Sequence, residues 1–405
     1  MHSWCIPSHM PMRQATLPFA ALLGAALSFL PGCESTKSSG PSPSDAQVQK
    51  SSPAQDADAW KRARVGDRVV YTFSATQGPG RGGGGGAART LDGQLTLEVV
   101  SVQQPWVWVR VAFTDAAGKP LASPRLAQDL LLPVRADATR PLDVPHGGEA
   151  TAERTSSAGR DWEALRYVSD QRPVDGPLRA RVYANAPGPL YLTHGLLDAS
   201  TESAGFHTPG GFKLTLREFR EGSAEANAPA PALERPLGPG AYYDRHVDVG
   251  PAPGVQRVCF SAERGYLLRT EGPLDDAAKA APCADFSQAE PEPLEEVLMS
   301  LPWEALNPAD APPANASITR GTFSADGRSV PALTEQSTEN FEGTERVFFQ
   351  TSAAEPWAPG LAGLPYEARF QPLSNSTERV VAGGKRESEG GTKIVHWGSW
   401  LAGAK

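Results

Sequence analysis

Catalytic signatures are missing from this chain. Its seven histidines form no His-x-x-x-His and no His-Glu-x-x-His, so the sequence offers no metal-ligating spacing. Cysteine is scarce, with four in 405 residues, and no Cys-x-x-Cys occurs, which excludes a zinc ribbon and a thioredoxin-type redox pair. There is no Gly-x-Ser-x-Gly elbow and no Ser-x-x-Lys. The five glycines Gly82–Gly86 are followed by no Lys-Ser/Thr pair and no helix opening, so a phosphate loop is excluded and a hairpin tip is the better reading. Positive charge is not in excess: the net charge is −8, which gives nucleic acid and anionic lipid no electrostatic footprint. No apolar run reaches the roughly 20 residues of a membrane-spanning helix; the longest is Ala15–Leu30. Neither a cofactor nor a catalytic residue is expected.

Glycine and proline are plentiful, at 40 and 38 residues against 4 methionines, and this favours many turns and short strands. Alternation supports the same fold class. Val65 to Phe73 reads as a strand with Val69, Tyr71 and Phe73 on one face. Gln94–Val102 and Trp106–Phe113 read as a hairpin about Gln103-Gln104-Pro105. Phe212–Phe219 and Thr392–Trp400 are further strands. Helical spacing is rarer. Arg125–Leu132 reads as a short helix closed by Pro133, and Leu294, Val297, Leu298 and Leu301 make an apolar stripe ended by Pro302. The expectation is an all-β body of two or three small antiparallel sheet units, meanders that are curved or half-open, with one short helix and a disordered N-terminal tether.

Ahead of that body, Arg13 precedes the apolar run Ala15–Leu30, and Leu30-Pro31-Gly32-Cys33 ends it. This order of charge, apolar stretch and small residue before a cysteine has the parts of a secretory signal. It resembles the lipobox of bacterial lipoproteins, with Pro31 departing from the usual residue before the glycine. The resemblance implies cleavage before Cys33, acylation of Cys33 and a membrane tether, with Met1, Met10 or Met12 as the start. Stable anchoring takes more than one acyl chain, which members of that class carry. Residues 34–58 are rich in Ser, Pro, Ala and Gln, cannot bury enough apolar surface to fold, and as a random coil span on the order of 25–30 Å. Glu34 is not the aspartate that retains some lipoproteins at an inner membrane, so the outer membrane is favoured. In an oxidising compartment the remaining pair, Cys259 and Cys283, most simply forms one disulfide.

Three stretches share a loose strand–turn–strand pattern: 159–192, 240–268 and 327–364. They are read either as true duplications or as three β-meanders that happen to look alike. The Ala-Pro-Gly pieces at Ala186-Pro187-Gly188 and Ala358-Pro359-Gly360 resemble a turn of exported β-rich bacterial lipoproteins of unknown function. Some of these carry lipid or lipoprotein cargo in a curved, half-open sheet. The candidate ligand-lining residues are Trp106 and Trp108, which share a strand face, and Tyr191, His194 and His207, which flank the turn at Leu196–Ser200. Core packing explains the tryptophans more simply than a ligand platform does, and surface loops explain the histidines.

These observations divide the chain into a signal peptide (1–32), a lipidated cysteine with its tether (33–58), and a first β domain (59–222). A linker (223–237) leads to a second β unit with the short helix (238–306). A further linker (307–316) precedes a C-terminal β unit (317–405). The function expected is that of a monomeric, membrane-anchored envelope lipoprotein with a non-catalytic binding or scaffold role toward an envelope protein. A carrier of lipid or another apolar ligand is the alternative, and a hydrolase with a site assembled from distant residues is the third reading.

The anchor is directly testable. Cys33→Ala abolishes acylation and leaves an uncleaved or soluble protein in cell fractionation. A mature-sized Cys33→Ala species that still partitions with membranes rules out the lipobox.

Overall fold

Alternating apolar residues in a turn-rich chain give eighteen strands among the described residues, and every strand pairing is antiparallel. The computed structural model describes residues 59–77, 89–104, 106–121, 129–133, 150–174, 176–203, 210–232, 240–248, 253–263, 266–280, 283, 286, 289–293, 298, 316–341 and 343–399. The signal region, Cys33, the tether, the glycine run and His207 lie outside them.

The first nine strands are β1 (Arg68–Gln77), β2 (Arg89–Gln103), β3 (Trp106–Asp115), β4 (Asp129–Pro133), β5 (Ala150–Ser157), β6 (Arg160–Asp170), β7 (Leu178–Ala184), β8 (Leu196–Ser203) and β9 (Gly210–Arg220). They form one sheet in the order β4-β3-β2-β1-β9-β8-β7-β6-β5. The next nine are β10 (Ala241–Val247), β11 (Gly254–Glu263), β12 (Tyr266–Pro273), β13 (Glu290–Pro293), β14 (Ala316–Ala325), β15 (Arg328–Phe341), β16 (Thr344–Ala353), β17 (Ser374–Val380) and β18 (Arg386–Ser399). Their order, β13-β12-β11-β10-β18-β17-β16-β15-β14, repeats the first strand for strand.

The repetition extends to single residues. The first strand of each sheet pairs with the last, across a register shift between Val70 and Tyr71 in one sheet and between Asp244 and Arg245 in the other. Just before these strands, Gly66 and Gly240 both take positive φ and donate their N–H to the second strand, at Val99 and Phe260. Two-residue turns join β5 to β6 and β14 to β15. Their residues are Ala158-Gly159 and Asp326-Gly327, all left-handed, with φ of 53° and 71° in one and 52° and 69° in the other. That double left-handed turn matches the twist of a hairpin. A 3-10 turn carrying a fully buried leucine links the seventh and eighth strands of each sheet, Leu190 in Gly188–Thr193 and Leu361 in Pro359–Leu361. The chain is therefore a tandem of one nine-stranded unit.

Of the three loosely similar stretches, the first and third occupy equivalent places in the two sheets. The second corresponds to β1–β3 instead. The stretches read as separate units over 238–306 and 317–405 contribute to one sheet, because β10 pairs with β18. Arg125–Leu132 is corrected as well: Asp129–Pro133 is strand β4, hydrogen-bonded to the outer edge of β3. Leu130 and Leu132 enter the core while Leu131, also buried, faces the other way. A run apolar on both faces cannot be told from a helix by periodicity. The helix expected over 294–301 falls mostly outside the described residues; Leu298, which is described, is helical and fully buried.

Neither sheet closes into a barrel, yet each curls back on itself. The Ser157 hydroxyl donates to the Leu216 carbonyl at 2.9 Å, and Trp162 meets Phe219 edge-on, so the β5–β6 hairpin reaches strand β9. In the second sheet Arg328 lies over Trp397 and Lys393 over Phe323. The largest core gathers Val69, Tyr71, Phe73, Leu95, Leu97 and their neighbours, and also takes in Ala262, Leu267 and Tyr366 of the second repeat. A second core, around Val258, Phe323 and Trp397, fills the second sheet. Each fully buried leucine contributes about 1.5–3 kcal/mol of transfer free energy.

Leu190→Ala and Leu361→Ala therefore each cost about 2–5 kcal/mol, the range for truncating a buried leucine. Urea unfolding of the two variants checks this. A loss well below that range at either position would show that its turn is not a core element.

Candidate functional site

Buried polar groups include Asp129 of β4, held by Arg110 of β3 at 2.7 Å, and two larger clusters, of which the first lies where the chain enters the first sheet. Asp67, buried just ahead of β1, accepts three hydrogen bonds. Its Oδ2 takes the Arg64 N–H at 2.7 Å and the Tyr191 hydroxyl at 2.6 Å, and its Oδ1 takes the Gly222 N–H at 2.8 Å. Burial, and then the bond to Asp67, raise the Tyr191 phenol far above its ordinary value, so it stays a neutral donor. Beside it, Tyr71 donates to the Leu196 carbonyl at 2.8 Å and shares a 2.6 Å hydrogen bond with the Thr193 hydroxyl. Trp60 packs edge-on against the Tyr191 ring at 5.0 Å. Asp67 thus ties together the entry segment, the 3-10 turn and the chain leaving β9. With three donors on the carboxylate and the phenol held as a donor, this cluster fastens three parts of the chain together as a structural hub.

His194 caps the same turn in left-handed conformation and stacks on Tyr266 of β12, ring centroids 3.7 Å apart. Two of the residues proposed to line a ligand site, Tyr191 and His194, are therefore neighbours. They are buried in packing contacts rather than in surface loops, and His207 lies outside the described residues. Trp108 is buried and Trp106 half-buried, on the face of β3 opposite Val107, Val109, Val111 and Phe113. Ser101, which is paired with Trp108, donates to the Ala228 carbonyl at 2.9 Å, so the segment following Arg220 crosses that face. The two tryptophans and the Tyr191–His194 pair form no common site. Cys259 and Cys283 are disulfide-bonded with Cα atoms 5.6 Å apart, beside a small cluster of Tyr266, Leu268, Phe286 and Ala289.

The second polar place is a row across three strands of the second sheet. Asp244 on β10 lies opposite Arg257 on β11 and opposite His396 on β18. Arg257 grips Asp244 with two bonds, Nε to Oδ1 at 2.7 Å and Nη2 to Oδ2 at 2.9 Å, and both side chains are at least nine-tenths buried. The bond to Asp244 raises the guanidinium above its ordinary range. A third donor, Nη1, reaches the Ala278 carbonyl at 2.6 Å in the short helix Asp276–Ala280, inside the disulfide-closed loop. The Tyr242 ring packs against the guanidinium at 4.4 Å and against the His396 imidazole at 5.6 Å. His396 Nδ1 stands 3.6 Å from Asp244 Oδ2, and Nε2 stands 3.4 Å from Asp326 Oδ2.

The fold does not require this row. By strand register the equivalent residues of the first sheet are Thr96, Val70 and Glu218. Chemically the row offers an imidazole between two carboxylates, one of them fixed by arginine. Among the described residues no hydroxyl or thiol is hydrogen-bonded to His396, so no nucleophile accompanies it. No group of three or more His, Cys, Asp or Glu that could hold a metal ion occurs among them. Sequence reading missed the row because its members meet only through long-range register. The available signal was a polar pair set inside apolar strands, Asp244 after Tyr242-Tyr243 and Arg257 before Val258-Cys259.

The chain belongs to a family of unknown function, DUF6068, whose family model matches residues 13–405. A comparison with curated proteins finds no match.

Removing one partner of a buried ion pair leaves the other uncompensated, at about 3–5 kcal/mol. Asp244→Ala is therefore severely destabilising by urea unfolding. The double variant Asp244→Leu/Arg257→Met recovers most of that loss. A double variant as unstable as the single one would show that the pair stabilises more than it costs to desolvate.

Proposed function

We propose that this DUF6068 chain is a lipid-anchored protein of the bacterial cell envelope, held by acyl chains on Cys33. Its tandem β body acts as a non-catalytic binding or scaffold unit. The observation that carries the reading is the filled interior of the first sheet. Strand β3 sends Val107, Val109, Val111 and Phe113 into a core shared with Leu95, Leu97, Leu130 and Leu132, all nearly or fully buried. Interiors filled by side chains to crystal-like density leave no room for a guest. The polar clusters are compatible with the same reading: three donors within the chain engage Asp67, and among the described residues no hydroxyl or thiol is hydrogen-bonded to His396. The Leu-Pro-Gly-Cys order and the outer-membrane preference from Glu34 supply the address.

The carrier reading draws on one feature, that both sheets are open and curl without closing their hydrogen-bond ladders. Lipid extraction separates the two. Purified, delipidated protein is re-exposed to envelope lipids, isolated, and analysed by mass spectrometry. The scaffold reading expects no stoichiometric lipid. One lipid retained per chain, and lost in a Trp108→Ala or Trp106→Ala protein that remains folded, would replace it with the carrier.

A further inference from the structure

We propose that His396 is a proton-operated latch that seats the β14–β15 hairpin tip on the central strand of the second sheet. The tip residue Asp326 reaches across the curl of the sheet to His396 Nε2 at 3.4 Å, while Nδ1 of the same ring faces Asp244 at 3.6 Å. A neutral imidazole carries one N–H, so it can serve one of these carboxylates and turns a lone pair to the other. On taking a proton from solvent it becomes an imidazolium with two N–H donors, one for each carboxylate, and both contacts become charge-assisted. Histidine is the side chain whose charge changes nearest neutral pH.

The charged groups around the ring favour this division of labour. From β11, Arg257 holds both oxygens of Asp244 and fixes that carboxylate in place. On β15, Arg328 stands 3.9 Å from Asp326 and over Trp397, a loose contact that leaves the tip carboxylate to the histidine. The strand that carries His396 also contributes Lys393, which lies over Phe323 at the tip end of β14 and adds a fixed positive charge on the same side of the hairpin. From β10, the Tyr242 ring supports the imidazole face. The two carboxylates lie against opposite ring nitrogens, so they do not converge on one metal ion.

The first repeat provides the contrast. Its tip has Ala158 where Asp326 stands, its last strand has Glu218 where His396 stands, and the tip is seated by the neutral bond from Ser157 to the Leu216 carbonyl. The same backbone thus seats one hairpin tip by a neutral hydrogen bond and the other beside an imidazole flanked by two carboxylates.

Amide hydrogen exchange of the full chain, corrected for intrinsic rates, tests the latch between about pH 5.5 and pH 8, the interval that spans histidine titration. Protection of residues 323–331 should rise by about threefold to fivefold on acidification, the scale of a partly exposed ion pair. Protection of residues 155–162, the sister tip, should stay level. Asp326→Asn keeps a residue that tolerates left-handed φ, and it should flatten the profile of 323–331 with the fold intact by far-UV dichroism. His396→Gln should do the same. An acid response shared by both tips, no response at either, or a wild-type profile in folded Asp326→Asn overturns the latch.

Discussion

Each sheet depends on one pairing, that of its first strand with its last. Without β1 against β9 the first repeat would be two separate meanders of four and five strands, with β1 and β9 left as unpaired edges. The same holds for β10 against β18. Because side chains alternate with period two, a slip of one residue at this seam would turn Tyr71 and Phe73 out of the core and bring Thr72 in. The register shifts at Val70/Tyr71 and Asp244/Arg245 pin the seam at the same place in both sheets. The hairpins, the buried 3-10 turns and both polar clusters are all positioned from it.

What the sequence discloses follows from distance along the chain. Hairpin β2–β3, the β1 face of Val69, Tyr71 and Phe73, and strands β9 and β18 are local patterns, and alternation reveals them. The disulfide followed from having two thiols left over. The seam was not legible, since nothing near Val69 in sequence points to Phe219. For the same reason Asp244 and His396 could not be seen as neighbours. The helix expected over Arg125–Leu132 gives way to strand β4 because a leucine run buried on both faces carries no period. The repeat was glimpsed through its Ala-Pro-Gly turns, which do lie at equivalent places. The sequence alone leaves open whether the three stretches are duplications, because short strands with Gly turns resemble one another wherever they fall.

The two repeats spend their buried polarity differently. In the first, one buried carboxylate, Asp67, sits before the strand begins and anchors flanking segments, and another, Asp129 on β4, is held across the strand pair by the half-exposed Arg110. At the position equivalent to Asp67 the second repeat has Ala241, and its buried carboxylate lies inside the first strand at Asp244, where a buried arginine on the neighbouring strand offsets the cost of burial. One backbone thus accommodates a hub that fastens chain ends and a charged row that crosses the sheet. His194 against Tyr266 joins the turn of one repeat to a strand of the other, so the tandem is not two independent beads.

The seam also sets the order in which the protein can be made. Strand β1 emerges from the ribosome early but finds its second neighbour only when residues 210–220 have appeared, and β10 waits in the same way for β18. Such long-range closure is slow, because loop entropy is lost before the contact forms. The nascent second repeat holds an open edge at β10 until residues 386–399 have been made. A premature stop anywhere before β18 therefore removes the partner on which the whole second sheet converges, and leaves a chain with a sticky edge.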